Sequence, residues 1–275
     1  MKAKTILVSG ATDGIGRETA RQLLALGHRV LVHGRSRDKA ERAAAQLAAA
    51  APQGAAVPVW GELSRMRDIA PLAQQVRSHC AALDVLLNNA GVLEQRQHLT
   101  EDGFEMTMAV NHFAAFLLTR MLLNLVAAAP AGRIVTVSSM VHGSGSLDLD
   151  APSFLRTDLG YSGYDAYCAS KLANVLFTVE LARRLGAGGV TANCLHPGVI
   201  GTKLLRAGFA IGGAPVEEGA RTSVFLATSD AVAGLSGKYF NNCREAQCSA
   251  AARDPDLARA LWQASEAALR GFLPS

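Results

Sequence analysis

No block of like charge runs through this 275-residue chain. Its 27 Lys and Arg are dispersed among 23 Asp and Glu, leaving a net charge of +4. That dispersion argues against the basic stripe of a nucleic-acid-binding protein. Cysteine is also scarce. There are five, an odd number, and the nearest pair, Cys243 and Cys248, lacks C-x-x-C spacing. The pattern reads as reduced thiols in a cytoplasmic protein, with neither a disulfide frame nor a metal site. No signal-like segment precedes Thr5-Ile6-Leu7-Val8, and no apolar run is expected to reach the length of a membrane span. No internal repeat or linker interrupts the chain. What it has in quantity is apolar side chains: hydrophobic residues make up 49% of it, enough for a sizeable core.

Those residues alternate between strand-like and helix-like runs from end to end. Strands are expected at Lys4 to Ser9, His28 to Gly34, Ala55 to Trp60, Leu83 to Leu87, Gly132 to Ser138 and Val190 to Leu195, with a seventh near Lys238 to Phe240. Helices are expected from Arg17 to Leu26, Arg37 to Ala51, after a Ser64 N-cap to Ala81, Phe104 to Ala128, Tyr164 to Leu185, Pro215 to Thr228 and Asp254 to Leu269. The alternation implies an α/β fold: one doubly wound parallel-sheet Rossmann domain spanning 1–275, about seven strands with helices on both faces.

Two motifs carry chemistry. Between the first strand and first helix lies Gly10-Ala11-Thr12-Asp13-Gly14-Ile15-Gly16, spaced G-x-x-x-G-x-G. Strand, glycine-rich turn and helix is the setting in which backbone approaches a pyrophosphate and a helix N-terminus supplies N–H groups. The alternative is a tight turn with no ligand. The second motif is Tyr167-x-x-x-Lys171. On a helix the two side chains project from one face. A lysine ammonium one turn away would lower the phenol pKa and make a general acid–base for alcohol or carbonyl chemistry. Of the neighbouring tyrosines, Tyr161 and Tyr164 are followed four residues on by Asp165 and Cys168; Tyr167 has the lysine.

Lesser signals fall at strand ends. Arg35 follows the second strand with no acid from Val32 to Arg37, which points to a 2′-phosphate and so to NADP over NAD. Asn88-Asn89-Ala90-Gly91 closes the fourth strand. Asn111 sits inside an apolar helical run and needs a partner. Met140 to Gly163 reads as a long Gly/Ser/Asp-rich loop, and Thr202 to Ala214 as a short lid. With residues 203–214, the long loop (140–163) is expected to line a substrate pocket, with Leu204, Leu205, Phe209 and Ile211 as apolar walls. His196 reads as a packing residue.

Taken in order, Gly10-x-x-x-Gly14-x-Gly16, Asn88-Asn89-Ala90-Gly91, Asn111, Ser139, Tyr167-x-x-x-Lys171 and Pro197-Gly198 with Thr202 resemble the classical short-chain dehydrogenases/reductases over nearly the whole chain. Asp102-Gly103-Phe104-Glu105-Met106, Val110-Asn111-His112-Phe113, the run Tyr167 to Arg184, and Gly237-Lys238-Tyr239-Phe240 with Cys243 and then Leu261-Trp262 look closest to its retinol-dehydrogenase-like branch. Ser9 replaces the family's usual Thr, and Glu62 its usual Asp.

The resemblance implies Tyr167 as acid–base, Lys171 as its partner and a nicotinamide-ribose ligand, Ser139 as the donor that orients the substrate oxygen, and Asn111 as holder of a water linking Lys171 to solvent. It implies a nicotinamide dinucleotide held by Gly10, Thr12, Asp13, Gly14, Ile15, Gly16, Arg35, Glu62, Leu63, Asn89, Ala90, Gly91, Tyr167, Lys171, Pro197, Gly198, Val199 and Thr202. The expected activity is NADP(H)-dependent interconversion of an alcohol and a carbonyl on a small apolar molecule. A homo-oligomer is expected, paired through the helices Phe104–Ala128 and Tyr164–Leu185. A catalytically silent dinucleotide sensor or scaffold is the alternative. An epimerase or dehydratase would want G-x-x-G-x-x-G and a larger C-terminal domain.

Overall fold

The structure, a computed structural model, is described for residues 3–158, 160–209 and 212–274. Its centre is an eight-stranded sheet in the order β3-β2-β1-β4-β5-β6-β7-β8. The strands are β1 (Thr5–Val8), β2 (Arg29–Gly34), β3 (Ala55–Trp60), β4 (Val85–Asn88), β5 (Arg133–Val137), β6 (Thr191–His196), β7 (Tyr239–Asn241) and β8 (Arg244–Ala246). All pair in parallel except β8, which returns antiparallel on β7. The eighth strand goes beyond the expected seven. It is three residues long and largely exposed, so it carries no apolar alternation to announce it.

The inner strands read as near-continuous buried apolar runs because helices cover both faces. One face holds α1 (Gly14–Ala25), α2 (Arg37–Ala50) and α8 (Val216–Thr228); the other holds α3 (Ile69–His79), α5 (Ala114–Ala127), α6 (Gly163–Leu185) and α9 (Pro255–Ala268). The strand order reverses between β1 and β4, which opens a crevice at their carboxyl ends.

Several expectations are corrected. Ser64 does not cap the third helix. A 3-10 turn (Met66–Asp68) precedes α3, and the Met66 N–H donates to Asp102 Oδ2 at 2.8 Å, a partner 36 residues away. The helix expected from Phe104 begins at Met106, with Glu105 accepting from the N–H groups of Thr107 and Met108. It is interrupted: α4 (Met106–Met108) passes through a π-turn (Ala109–Phe113) before α5. Counted as one, Met106–Ala127 is long and apolar enough to cross a membrane, contrary to the sequence expectation. However, 78% of its most apolar window is buried inside the fold. The loop expected from Met140 to Gly163 contains two 3-10 turns, Met140–Ser144 and Pro152–Phe154.

The faces expected to pair two copies are engaged within the chain. Every residue of α6 from Ala166 to Thr178 is buried. Trp262 of α9 stacks on Phe177 of α6 at 5.9 Å and meets Phe116 of α5 edge-on at 4.8 Å. The Arg120 and Arg184 guanidinium groups lie over the Trp262 ring. α9 thus covers within the chain part of the surface that α5 and α6 would bring to a partner copy.

Candidate active site

A cleft of roughly 840 Å³ lies over the carboxyl ends of the strands. Every predicted site residue except Asn111 lines it.

Its floor is the glycine turn between β1 and α1. Gly10 adopts φ +65°, and a Cβ there would lie 2.9 Å from Ala90 Cα; a Cβ on Gly16 would come within 2.3 Å of Gly10 O. Both positions therefore require glycine, one for conformation and closeness, the other for closeness alone. Ser9 ties the turn to the end of β4. Its Oγ accepts from the N–H groups of Asn89 (2.9 Å) and Ala90 (3.0 Å), while Asn89 Nδ2 donates to Ser9 O at 2.8 Å. The group that makes this tie is a hydroxyl, which the family's usual threonine also carries.

His33, which reads in the sequence as plain strand, braces the same turn. The Gly10 N–H donates to its Nδ1 at 3.0 Å, and its Nε2 donates to Gly61 O at 3.0 Å. One neutral ring thereby spans the ends of β1, β2 and β3, and burial pulls its pKa down to about 4. Its only sequence signal was a polar residue inside a buried apolar strand.

Asp13 caps α1 through the Gly14 N–H (2.9 Å) and pairs with Lys203 at the start of α7 (Lys203–Gly208) at 2.6 Å. The Lys203 hydrogen bond holds the Asp13 carboxyl below the usual range. At the β2 end, Arg35 lines the cleft with Lys39, a cation with no motif to mark it in the sequence. Arg37, two residues on, is instead paired with Glu41 at 2.7 Å. Glu62 Oε1 accepts from the Ser64 N–H at 3.2 Å, closing its own turn.

At the other end, Ser139, Tyr167 and Lys171 converge. Lys171 Nζ donates to Val137 O at 3.0 Å and lies 5.4 Å from the Tyr167 ring centroid. Gly91 lies beside it: a Cβ there would meet Lys171 Nζ at 3.5 Å, an ordinary contact. Burial lowers the Lys171 pKa to about 8. The Tyr167 phenol moves the other way. Burial pushes it up, Cys168 adds to that, and hydrogen bonding with Ser139 opposes both. The expectation that Lys171 would lower the phenol pKa is not met in the free protein. The ammonium stands over the ring, and desolvation of the phenol is the largest cause of the shift.

Asn111 reaches this cluster only at second hand. Its Oδ1 accepts from the Val92 N–H at 2.8 Å; its Nδ2 donates to Val92 O at 3.0 Å and Ser170 Oγ at 2.9 Å. The side chain holds the Val92 backbone and ties it to Ser170, and it occupies the π-turn, a distortion frequent at functional sites. Ser138 donates to Lys171 O at 2.7 Å.

The apolar wall is formed by Met140, Val141, Leu204, Leu205 and Phe209. Phe209 meets Tyr164 and Tyr167 edge-on at 5.8 and 6.2 Å. Ile211 lies outside the described residues. Glu94 and His98, unanticipated, also line the cleft.

The short chain dehydrogenase family model matches residues 4–149 and 155–210. The chain belongs to that family. Within it, retinol dehydrogenase 14 from Homo sapiens is 42% identical, over 97% of this chain and 86% of the relative. Human retinol dehydrogenase 12 is 37% identical over 96% and 86%. This places the chain in the retinol-dehydrogenase-like branch of alcohol/carbonyl short-chain oxidoreductases. Among solved structures, a Mycobacterium paratuberculosis protein superposes with TM-score 0.80 at 32% identity, covering 99% of this chain and 95% of its own. A short-chain dehydrogenase from Escherichia coli CFT073, complexed with NADPH, gives TM-score 0.72 at 26% identity, over 88% and 97%.

Proposed function

We propose that this short-chain dehydrogenase interconverts an alcohol and a carbonyl on a small apolar molecule using NADP(H). The observation that carries the reading is the convergence of Tyr167, Lys171 and Ser139 beside the glycine turn in one cleft.

The residues present fit a dinucleotide. At Gly10 and Gly16 the turn packs too closely on Ala90 and on itself to carry a side chain, which keeps its backbone at the floor of the cleft beside the α1 N-terminus, where N–H groups and positive dipole favour phosphates. Arg35 and Lys39 at the opposite end support a 2′-phosphate, and relatives solved with NADPH or NADP support the same choice. Gly91, Pro197, Gly198, Val199 and Thr202 would flank the nicotinamide half. When bound, the cofactor supplies the hydride donor or acceptor.

The chain's own part is proton transfer and orientation. In reduction, Ser139 Oγ–H and the Tyr167 hydroxyl both donate to the carbonyl oxygen. Burial keeps Tyr167 protonated in the free protein, so it enters as the acid and gives its proton to the forming alkoxide. Lys171 over the ring face then stabilises the phenolate left behind. Oxidation runs these steps in reverse. The apolar wall excludes water and accepts a hydrocarbon body. Its extent, together with relatives named retinol dehydrogenase, supports an elongated aldehyde or alcohol. The five free thiols support a reducing, cytoplasmic setting.

The test is NADPH oxidation against hexanal, decanal, benzaldehyde, all-trans-retinal and a steroid ketone. Tyr167→Phe keeps the ring and removes the proton. It should cut turnover by roughly 10²–10⁴-fold with cofactor binding intact. Wild-type turnover in that variant overturns the assignment. NADPH binding with no turnover of any member would favour the silent sensor.

A further inference from the structure

We propose that His142 and His196 are positioning residues for Ser139, gripping from opposite ends the single peptide group that follows it. The inference rests on Ser139 having the role assigned above.

Ser139 follows β5 in an extended conformation and caps the 3-10 turn Met140–Ser144. Its carbonyl and the Met140 N–H are the two ends of one planar peptide group. His142 Nδ1 lies 2.7 Å from Ser139 O. A carbonyl only accepts, so Nδ1 carries the hydrogen and Nε2 is the bare nitrogen. That nitrogen accepts from the Ser249 N–H at 3.1 Å, tying the turn to the segment after β8. On the other end, His196 at the close of β6 accepts from the Met140 N–H through Nδ1 at 3.2 Å. The two rings therefore hold opposite tautomers, and each is fixed by a backbone partner.

Both rings are buried, at 5% and 6% exposure, and His142 packs on Tyr239 at 4.9 Å. Burial lowers the pKa of each, and the proximity of His142 lowers that of His196 further, so both stay neutral as the tautomers require. The upstream side is held separately by Ser138 Oγ on Lys171 O. Rotation of the Ser139–Met140 peptide would swing Ser139 Oγ relative to the Tyr167 hydroxyl. The clamp removes that freedom, drawing on the turn itself, on β6 and on the segment after β8. Small misplacements of an orienting group cost rate, not cofactor affinity.

The test uses the full chain with Leu and Asn at each histidine. Leu keeps bulk and removes both ring nitrogens; Asn places a donor and an acceptor close to where Nδ1 stands. Turnover of the most active aldehyde of the panel at saturating NADPH, NADPH affinity by fluorescence titration, and hydrogen exchange of the segment 138–145 are read together. His196→Leu and His142→Leu should lower kcat roughly ten- to hundredfold, leave NADPH affinity within about threefold, and lose exchange protection at 138–145. His196→Asn and His142→Asn should restore both kcat and protection to within about threefold of wild type. Unchanged exchange in the Leu variants overturns the clamp, whether or not a substrate has been found. Equal losses for Leu and Asn, or a fall in NADPH affinity matching the fall in kcat, would mean general structural damage and overturn it too. A wild type that binds NADPH but turns over nothing would count against the assigned reaction, and the exchange readout would still decide the clamp.

Discussion

At the scale of single residues, the site is a contest between desolvation and function. Lys171 is 3% exposed, and its ammonium is held at a pKa near 8 by burial alone. Carrying the charged form in that setting costs about 1.4 kcal/mol for every tenfold by which burial weakens proton binding. Lys171→Met is therefore expected to be more stable than wild type at pH 7 by up to about 3 kcal/mol while losing turnover, measured as an increased urea midpoint. An unchanged or lower midpoint would show that the ammonium's hydrogen bond to Val137 O outweighs its desolvation. Arg35 poses the same kind of question at the other end of the cleft. A charge-assisted contact to a 2′-phosphate contributes on the order of 1.5–3 kcal/mol. Arg35→Asp should accordingly weaken NADPH by roughly ten- to hundredfold and leave NADH equal or better, by fluorescence titration. The proton-transfer residues were legible in the sequence because their spacing is local. The work of Asn111 was not, since its partners Val92 and Ser170 lie 19 and 59 residues away.

At the scale of elements, the informative cases are α9 and the π-turn. Apolar periodicity identified α5 and α6 as helices with faces to bury, and that much was right. Periodicity does not say what covers them. The amphipathic C-terminal helix supplies the cover through Trp262, with Arg120 also hydrogen-bonded to Glu266. The expectation from this arrangement is a 28.8 kDa monomer in light scattering at micromolar concentration. A stable dimer would show that another surface pairs or that α9 moves. The extra residue of the π-turn has no signature in a pattern of apolar positions, and neither does the Asp102 carboxylate that caps the turn before α3.

At the scale of the whole molecule, His33, His112 and His196 are among the histidines buried as neutral rings. His33 and His196 are pulled down to about 4 and His112 to about 3, each mainly by burial. An unfolded chain protonates them near 6.5. Between pH 6.5 and about 4 the unfolded state therefore binds protons that the native state refuses, and stability falls as pH falls. The slope is up to about 1.4 kcal/mol per pH unit for each ring, and the stabilisation is fully present above pH 6.5. Asp13 and Glu180, whose pKa values are lowered chiefly by hydrogen bonds to Lys203 and Arg183, add loss in the same direction at lower pH. The urea midpoint at pH 5.5 should lie clearly below that at pH 7.5; equal midpoints would mean that the rings are solvated in solution.

Resemblance to the family singled out Ser139; the sequence by itself determined the order of strands and helices, the place of the glycine turn and the spacing of Tyr167 and Lys171. All of these depend on neighbours within a few residues, where periodicity, turn chemistry and helical spacing act. Only the tertiary structure decided that His33 braces the turn, that His142 and His196 hold one peptide group, that Lys39 joins Arg35, and that α9 covers α5 and α6. Most of those contacts join groups remote in sequence, while Lys39 near Arg35 and His142 near Ser139 are close in the chain but marked by no motif. The remote contacts come from the closing of the sheet and its layers, which sets distances that no local pattern encodes.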